Sequence, residues 1–171
     1  AATTGDARAD VVIPAGGVSA GAYEVVKTEL GDALRFSRVA MQPGKPQAFG
    51  VLPSGTLVFG LPGNPVSAAV SFEVFVRPAL LALQGRSDLY RPALRLPAGE
   101  SWRTPPGRRQ YLPAVIDRSD PVRWSVHPAT PGGSGSHLAG ALALAEAYAV
   151  VPAETVAVEP GDLIDVVLLE G

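Results

Sequence analysis

Apolar positions along the chain follow one regime up to about residue 86 and another beyond it. Asp10-Val-Val-Ile-Pro-Ala15 is a short β-branched run without alternation, which predicts a strand covered on both faces, as in a parallel sheet. It feeds Gly16-Gly-Val-Ser-Ala-Gly21, after which Tyr23, Val25, Val26 and Leu30 mark a short helix ending near Gly31. Leu34 to Met41 reads as a further strand, broken by Gln42-Pro-Gly-Lys-Pro46. Gln47 to Leu52 and Thr56 to Leu61 read as two strands joined by the hairpin signal Pro53-Ser-Gly55. The second of these runs into Gly60-Leu-Pro-Gly-Asn-Pro-Val-Ser67, a hinge from sheet to helix. From Val66 the apolar positions run nearly all round, so the helix is expected to be largely buried until Pro78 bends it and Gly85 ends it.

Beyond Gly85 the pattern becomes a series of short β runs. Arg86 to Pro97 reads as a linker entering a strand. Ala93 to Leu96, Gln110 to Ile116, Trp124 to Pro128, Tyr148 to Pro152 and Leu163 to Leu169 read as strands, with one helix over Leu138 to Ala147. A small closed barrel or sandwich would hide the edges of such strands. The expected organisation is an α/β part over residues 1–86 followed by an all-β part over 87–171. The first part is short of strands and helices for a two-sided parallel sheet and opens on a strand that ought to be central. The chain is therefore expected to be the C-terminal part of a longer polypeptide.

Composition narrows the function classes. With 47% hydrophobic and 18% charged residues and a net charge of −2, this is a soluble globular composition that gives no reason for a nucleic-acid partner. Anion binding must then come from local groups. The absence of cysteine excludes a disulfide framework, a thiolate metal site and a cysteine nucleophile. No apolar run approaches a membrane span and no signal peptide opens the chain, so the default location is cytoplasmic.

Three loops are candidates for chemistry. Gly16 to Gly21 differs in spacing from the Walker and dinucleotide fingerprints, yet offers stacked amides and the Ser19 hydroxyl. Glu24, one turn on, could hold a divalent ion, or simply complement the helix dipole. Both lysines, Lys27 and Lys45, fall in or just after glycine motifs, and Lys45 is fixed between Gly44 and Pro46. A solvated turn explains a lone lysine as well. In the third loop Pro62 and Pro65 fix backbone angles, Gly63 frees one, and Asn64 can cap a helix whose N-terminus would seat an anion. An ordinary connection between strand and helix fits the same residues. In the β part, Ser134, Ser136 and His137 sit in a glycine loop where helix capping by Ser136 accounts for the pattern better than nucleophilic catalysis. Arg103, Arg108 and Arg109 could attract an anion or merely be solvated. Zinc-type spacing is absent.

Taken together, GGVSAG, PGKP and GLPGNPVSA, followed by GRR and GSGSH, resemble the molybdopterin molybdenumtransferase family, which includes MoeA-type enzymes and the gephyrin E domain. The resemblance covers nearly the whole chain. It implies the C-terminal half of a three-layer α/β subdomain like that of molybdopterin adenylyltransferases, plus a small C-terminal β-barrel. The implied reaction inserts molybdate into adenylylated molybdopterin with loss of AMP, in a homodimer dependent on a divalent ion such as Mg2+. Glu24 would be catalytic and metal-binding, and Lys45 catalytic through its charge. Gly16, Gly17, Ser19, Gly21, Lys27, Pro43, Gly44, Pro62, Gly63, Asn64, Pro65, Ser67, Ser136 and His137 would bind substrate or cofactor. Departures from the pattern are Ala22 and Glu24 where relatives have two aspartates, Gln42 where a lysine is common, and Glu146 where an asparagine is usual. A molybdopterin-binding or scaffolding module without catalysis is the alternative implied, and an adenylyltransferase is disfavoured by the β part. Without the preceding domains these 171 residues are expected to be inactive. The three loops are expected to converge on one edge of a shared sheet.

Overall fold

The computed structural model describes residues 9–16, 32–130 and 139–169. They fall into two compact units, Ala1–Val39 with Gly44–Val76, and Ala40–Pro43 with Arg77–Gly171. The first strands along the chain are β1 (Val11–Val12), β2 (Leu34–Arg38), β3 (Met41–Gln42), β4 (Pro46–Val51) and β5 (Leu57–Gly60). All but β3 form the four-stranded sheet of the first unit, in the order β1-β5-β4-β2. Only the β1–β5 pair is parallel, and the other two pairs are antiparallel. The sheet is thus mixed: the Asp10–Ala15 strand pairs parallel as expected, and β4 and β5 form the hairpin expected at Pro53–Gly55, so a wholly parallel sheet is not found. The reason is local: Gly55, at φ +87°, closes the turn between β4 and β5, with Gly55 N–H donating to Leu52 O (2.8 Å) and Leu52 N–H to Thr56 O (2.9 Å).

The run from Leu34 to Met41 is likewise two strands rather than one. The Val39 amide still bonds the Lys45 carbonyl (2.8 Å), the next position in the β2–β4 register after Arg38 and Pro46, and only then does the chain leave that ladder. Residues 41–42 then pair parallel with a strand of the second unit, at Arg109 and Gln110. On one sheet face Leu34, Ala48 and Val58 are buried together, with Val12, Phe36 and Leu52 packed against them. The opposite face carries a tilted Phe49–Phe59 pair, ring centroids 4.9 Å apart. The helix predicted after Gly21 lies outside the described residues.

The long helix begins as α1 (Pro65–Ser71), widens into a π turn over Phe72–Val76 and continues as α2 (Arg77–Leu83). Val66, Ser67, Val70, Ser71 and Val76 are buried, whereas Phe72, Val74 and Phe75 are only half-buried, so the expected all-round burial is not found. Pro78 offers no N–H to the Val74 carbonyl and its ring needs room beside it. The wider turn lies on the segment that must accommodate this. Gly85, at φ +75°, ends the helix with Gly85 N–H on Ala82 O (2.9 Å) and Arg86 N–H on Leu81 O (3.0 Å). At 19 residues, Pro65–Leu83 has the length and composition of a membrane span, contrary to the reading that no run approaches one. Of its most apolar window 28% is buried within the protein, and Ser67 and Ser71 are among the helix's buried residues.

The second unit contains β6 (Ala93–Pro97), β7 (Trp102–Arg103), β8 (Arg109–Asp117), β9 (Ser125–Pro128), α3 (Ala139–Leu144), β10 (Ala147–Val151), β11 (Ala157–Val158) and β12 (Leu163–Leu168). The main sheet runs β3-β8-β10-β12-β6, and β9 pairs with β8. A parallel bridge between Ala98 and Val126, with Gly99 N–H on Val126 O (2.9 Å), joins the end of β6 to β9. Alternation along β8 buries Gln110, Leu112, Ala114 and Ile116 on one face, which packs with Val126, Ala149, Val151 and Val166 into a continuous core. The two-residue strands β3, β7 and β11 are too short to show a period. The helix expected to reach Ala147 stops at Leu144, because Glu146 N–H bonds Ala114 O (3.1 Å) and Ala147 already pairs with Ala114 and Leu168.

Candidate functional site

In the first unit β1 and β5 run parallel and deliver two glycine loops to the same place. Ala15 bridges to Leu61, Leu61 N–H donates to Pro14 O (2.9 Å), and Gly16 N–H donates to Leu61 O (2.9 Å). A Cβ placed on Gly63 would stand 3.3 Å from the Gly16 Cα. The opening of GGVSAG and the centre of GLPGNP thus meet backbone to backbone, an approach that a side chain at Gly63 would crowd. Because β4 is antiparallel to β5, its first residue, Pro46, lies at this same end of the sheet. The described ends of the three loops therefore share one edge.

Within the second loop, Gly44 is buried at φ +100° and Lys45 is exposed. Lys45 O accepts from Val39 N–H (2.8 Å), while Gly44 O accepts from Gln47 Nε2 (2.7 Å), which also donates to Ser71 Oγ (2.6 Å). The peptide backbone around Lys45 is held on both sides, leaving its four-carbon stem to reach outward. In the third loop Asn64 caps α1 as expected: its Oδ1 accepts from Ser67 N–H (3.1 Å) and Ser67 Oγ (3.3 Å). Pro65 takes the first helical position and Pro62 is buried.

Other candidates fall elsewhere. Gly17, Ser19, Gly21, Glu24, Lys27, Ser136 and His137 lie outside the described residues. Pro43 is buried and belongs to the second unit, where neighbouring Gln42 accepts through Oε1 from Arg108 Nη1 (2.7 Å). Arg103 and Arg109 are exposed. Glu146 Oε1 accepts from Ile116 N–H (2.6 Å), and Arg118 Nη1 lies 2.8 Å from Oε2, so the departure at Glu146 anchors the turn into β10. Among the described residues no three histidine, aspartate or glutamate side chains gather to hold a metal ion. Sequence reading missed Gln47 and Ser71. The available signal was a polar side chain, Ser71, inside an apolar helical run, one helix face away from solvent.

Residues 1–82 match the family model for a probable molybdopterin binding domain, and residues 95–169 match that of the MoeA C-terminal region (domain IV). The chain is 42% identical over 166 residues to molybdopterin molybdenumtransferase 2 of Mycobacterium tuberculosis, covering 92% of this chain and 40% of that protein. It is 38% identical over 168 residues to molybdopterin molybdenumtransferase 1 of the same organism, covering 95% of this chain and 39% of that one. Among solved structures it is similar to the molybdopterin biosynthesis MoeA protein from Pyrococcus horikosii, with a TM-score of 0.72 and 26% identity, over 95% of this chain and 38% of that chain.

Proposed function

Since the chain belongs to the molybdopterin molybdenumtransferase family and spans 40% and 39% of its two mycobacterial relatives, we propose that it is the C-terminal part of an enzyme that inserts molybdate into adenylylated molybdopterin and releases AMP. The observation that carries the reading is the meeting of Gly16 and Gly63 beside a pinned Lys45. Backbone without side chains gives a phosphate or a molybdate close approach to amides, and the ammonium of Lys45 offsets the negative charge that gathers when two anions are brought together. Pro62 to Ser67, rigid through two prolines and the Asn64 cap, forms a wall that does not reorganise during the reaction. Ser19, Lys27 and Glu24 complete the proposed set from the first loop and the segment after it. The described residues do not assemble a cation site, so no step is assigned to Mg2+.

In this reading residues 1–86 are half of a molybdopterin-binding α/β domain and residues 87–171 a small β-barrel. The barrel is supported by the pairing circuit from β8 through β10, β12 and β6 to β9 and back to β8. The whole protein works as a cytoplasmic homodimer, and these 171 residues alone are inactive. A second reading, molybdopterin binding or scaffolding without turnover, is favoured by Gln42, a neutral side chain bonded to Arg108 at the position where the family resemblance implies a lysine. The test is molybdate-dependent AMP release by the full-length protein. Lys45→Ala is expected to lower the rate by about 100-fold with folding intact, and Glu24→Ala similarly. Unchanged rates in both variants remove these roles, and tight pterin binding without AMP release selects the second reading.

A further inference from the structure

Lys45 can act on an anion only if its turn is held in one place, and besides the Val39 amide what holds it is the side chain of a residue two positions on. The Gly44 carbonyl can only accept a hydrogen bond, so the end of Gln47 that faces it at 2.7 Å is the NH2. That group carries two protons, and the second goes to Ser71 Oγ at 2.6 Å, on a side chain with no solvent exposure at all. Both donors of one amide are thus used, one on the second loop and one on the helix that leaves the third. Gln47 itself sits in β4, whose neighbour Ala48 pairs with Gly60 at the end of β5. Strand, lysine loop and helix are connected through a single side chain.

We propose that Gln47 is a positioning residue: a strap from the fully buried Ser71 to Gly44 that sets Lys45 relative to the Gly60–Ser67 loop. The proposal rests on the role given to Lys45 above and adds a residue outside the PGKP motif. No other side chain bridges Gly44 and α1 among the bonds described. Removing the donor frees the turn without removing Lys45. Gln47→Glu places a carboxylate against the Gly44 carbonyl, an acceptor facing an acceptor, and should be the more damaging change. Ser71→Ala removes one anchor and leaves the other.

Two measurements test the strap. The Val39 amide donates to Lys45 O, so its hydrogen exchange reports opening of the Lys45 turn irrespective of catalysis. Gln47→Leu is expected to speed Val39 exchange at least tenfold, while the paired amides of β8 and β10 keep their rates; unchanged Val39 exchange in both Gln47→Leu and Gln47→Glu overturns the proposal. In the full-length protein, Gln47→Leu is expected to lower kcat for molybdate-dependent AMP release about tenfold with KM changed less. In a Lys45→Ala background the same substitution should have no further effect. An equal loss in both backgrounds marks a merely structural role and overturns the proposal. If the full-length parent releases no AMP, the functional reading fails, and the exchange result still decides the strap.

Discussion

The two units are closed by different means. In the first, backbone meets backbone: Gly16 against Gly63, and Gly50 so near its neighbour strand that an added Cβ would stand 2.0 Å from Ala33 O. Its buried apolar cluster, among the described residues, is Leu34, Ala48 and Val58, and the other sheet face leaves Phe49 46% and Val51 51% exposed. In the second, side chain meets side chain: twelve buried residues from β7 through β12 and the flanks of β6 form one cluster, with Leu96 and Leu168 packed against it. Even its tightest glycine, Gly99, is close to a side chain, the His127 ring, rather than to main chain. The difference teaches where a ligand site can be made. A surface of exposed amides needs bare backbone held by polar straps and fixed dihedrals, and a unit that spends its residues on packing cannot offer one.

The contrast is tested most severely at Gln110. It is 2% exposed, inside the packed unit, and accepts from the Trp102 indole N–H at 3.1 Å. Gln110→Ala leaves both a cavity and an orphaned donor, and should cost about 3 to 4 kcal/mol in urea denaturation. A cost below about 1 kcal/mol would mean the core tolerates loss of side-chain contacts, and the contrast breaks.

A smaller effect is expected in the first unit from Gly50→Ala. The new methyl meets the Ala33 carbonyl and, at 2.8 Å, the Leu34 side chain. The carbonyl is main chain and cannot swing away, so β2 and β4 must part locally, at about 2 to 3 kcal/mol. Gly99→Ala is the matched control. Its methyl meets the half-buried His127 ring at 2.1 Å, and the ring can turn out at the expense of its bond to Ser125, about 1 kcal/mol. Equal costs for the two glycines would erase the distinction between backbone and side-chain closure.

The same distinction explains what the sequence made legible. Strands of the second unit stand out because alternation at Gln110, Leu112, Ala114 and Ile116 is a direct trace of side-chain packing. The hairpin at Pro53–Gly55, the cap at Asn64 and the stop at Gly85 were equally visible, since each depends on one residue's local chemistry. What the pattern hid was long-range main-chain geometry. Nothing in Leu34 to Met41 shows that the ladder to β4 ends at the Val39–Lys45 bond, or that residues 41–42 will join Arg109 and Gln110. The glycine and proline loops marked the site, while Gln47 escaped because a glutamine at a strand start carries no periodic signal.

The weakest effect expected is one of pH, and it should be confined to the second unit. Asp117, exposed at the end of β8, has its carboxyl held below the ordinary value, chiefly by the hydrogen bond from the Ser119 amide (2.8 Å) and then by the Ser119 side chain, with a smaller contribution from His127; partial desolvation opposes them. A depressed carboxyl contributes stability that is complete above its unfolded pKa, near 4, and is lost as pH falls through the folded value. The turn from Asp117 to Pro121 should therefore loosen in acid, read as a chemical-shift change at the Ser119 amide below about pH 4. Asp117→Asn keeps an acceptor and should abolish that titration. The strap in the first unit is built from an amide, a hydroxyl and a carbonyl, none of which titrates. Val39 protection, corrected for intrinsic exchange, should stay level over the same pH range. An acid-induced loss at Val39 matching that at Ser119 would show that the two units open together, and that their separate means of closure do not make them independent.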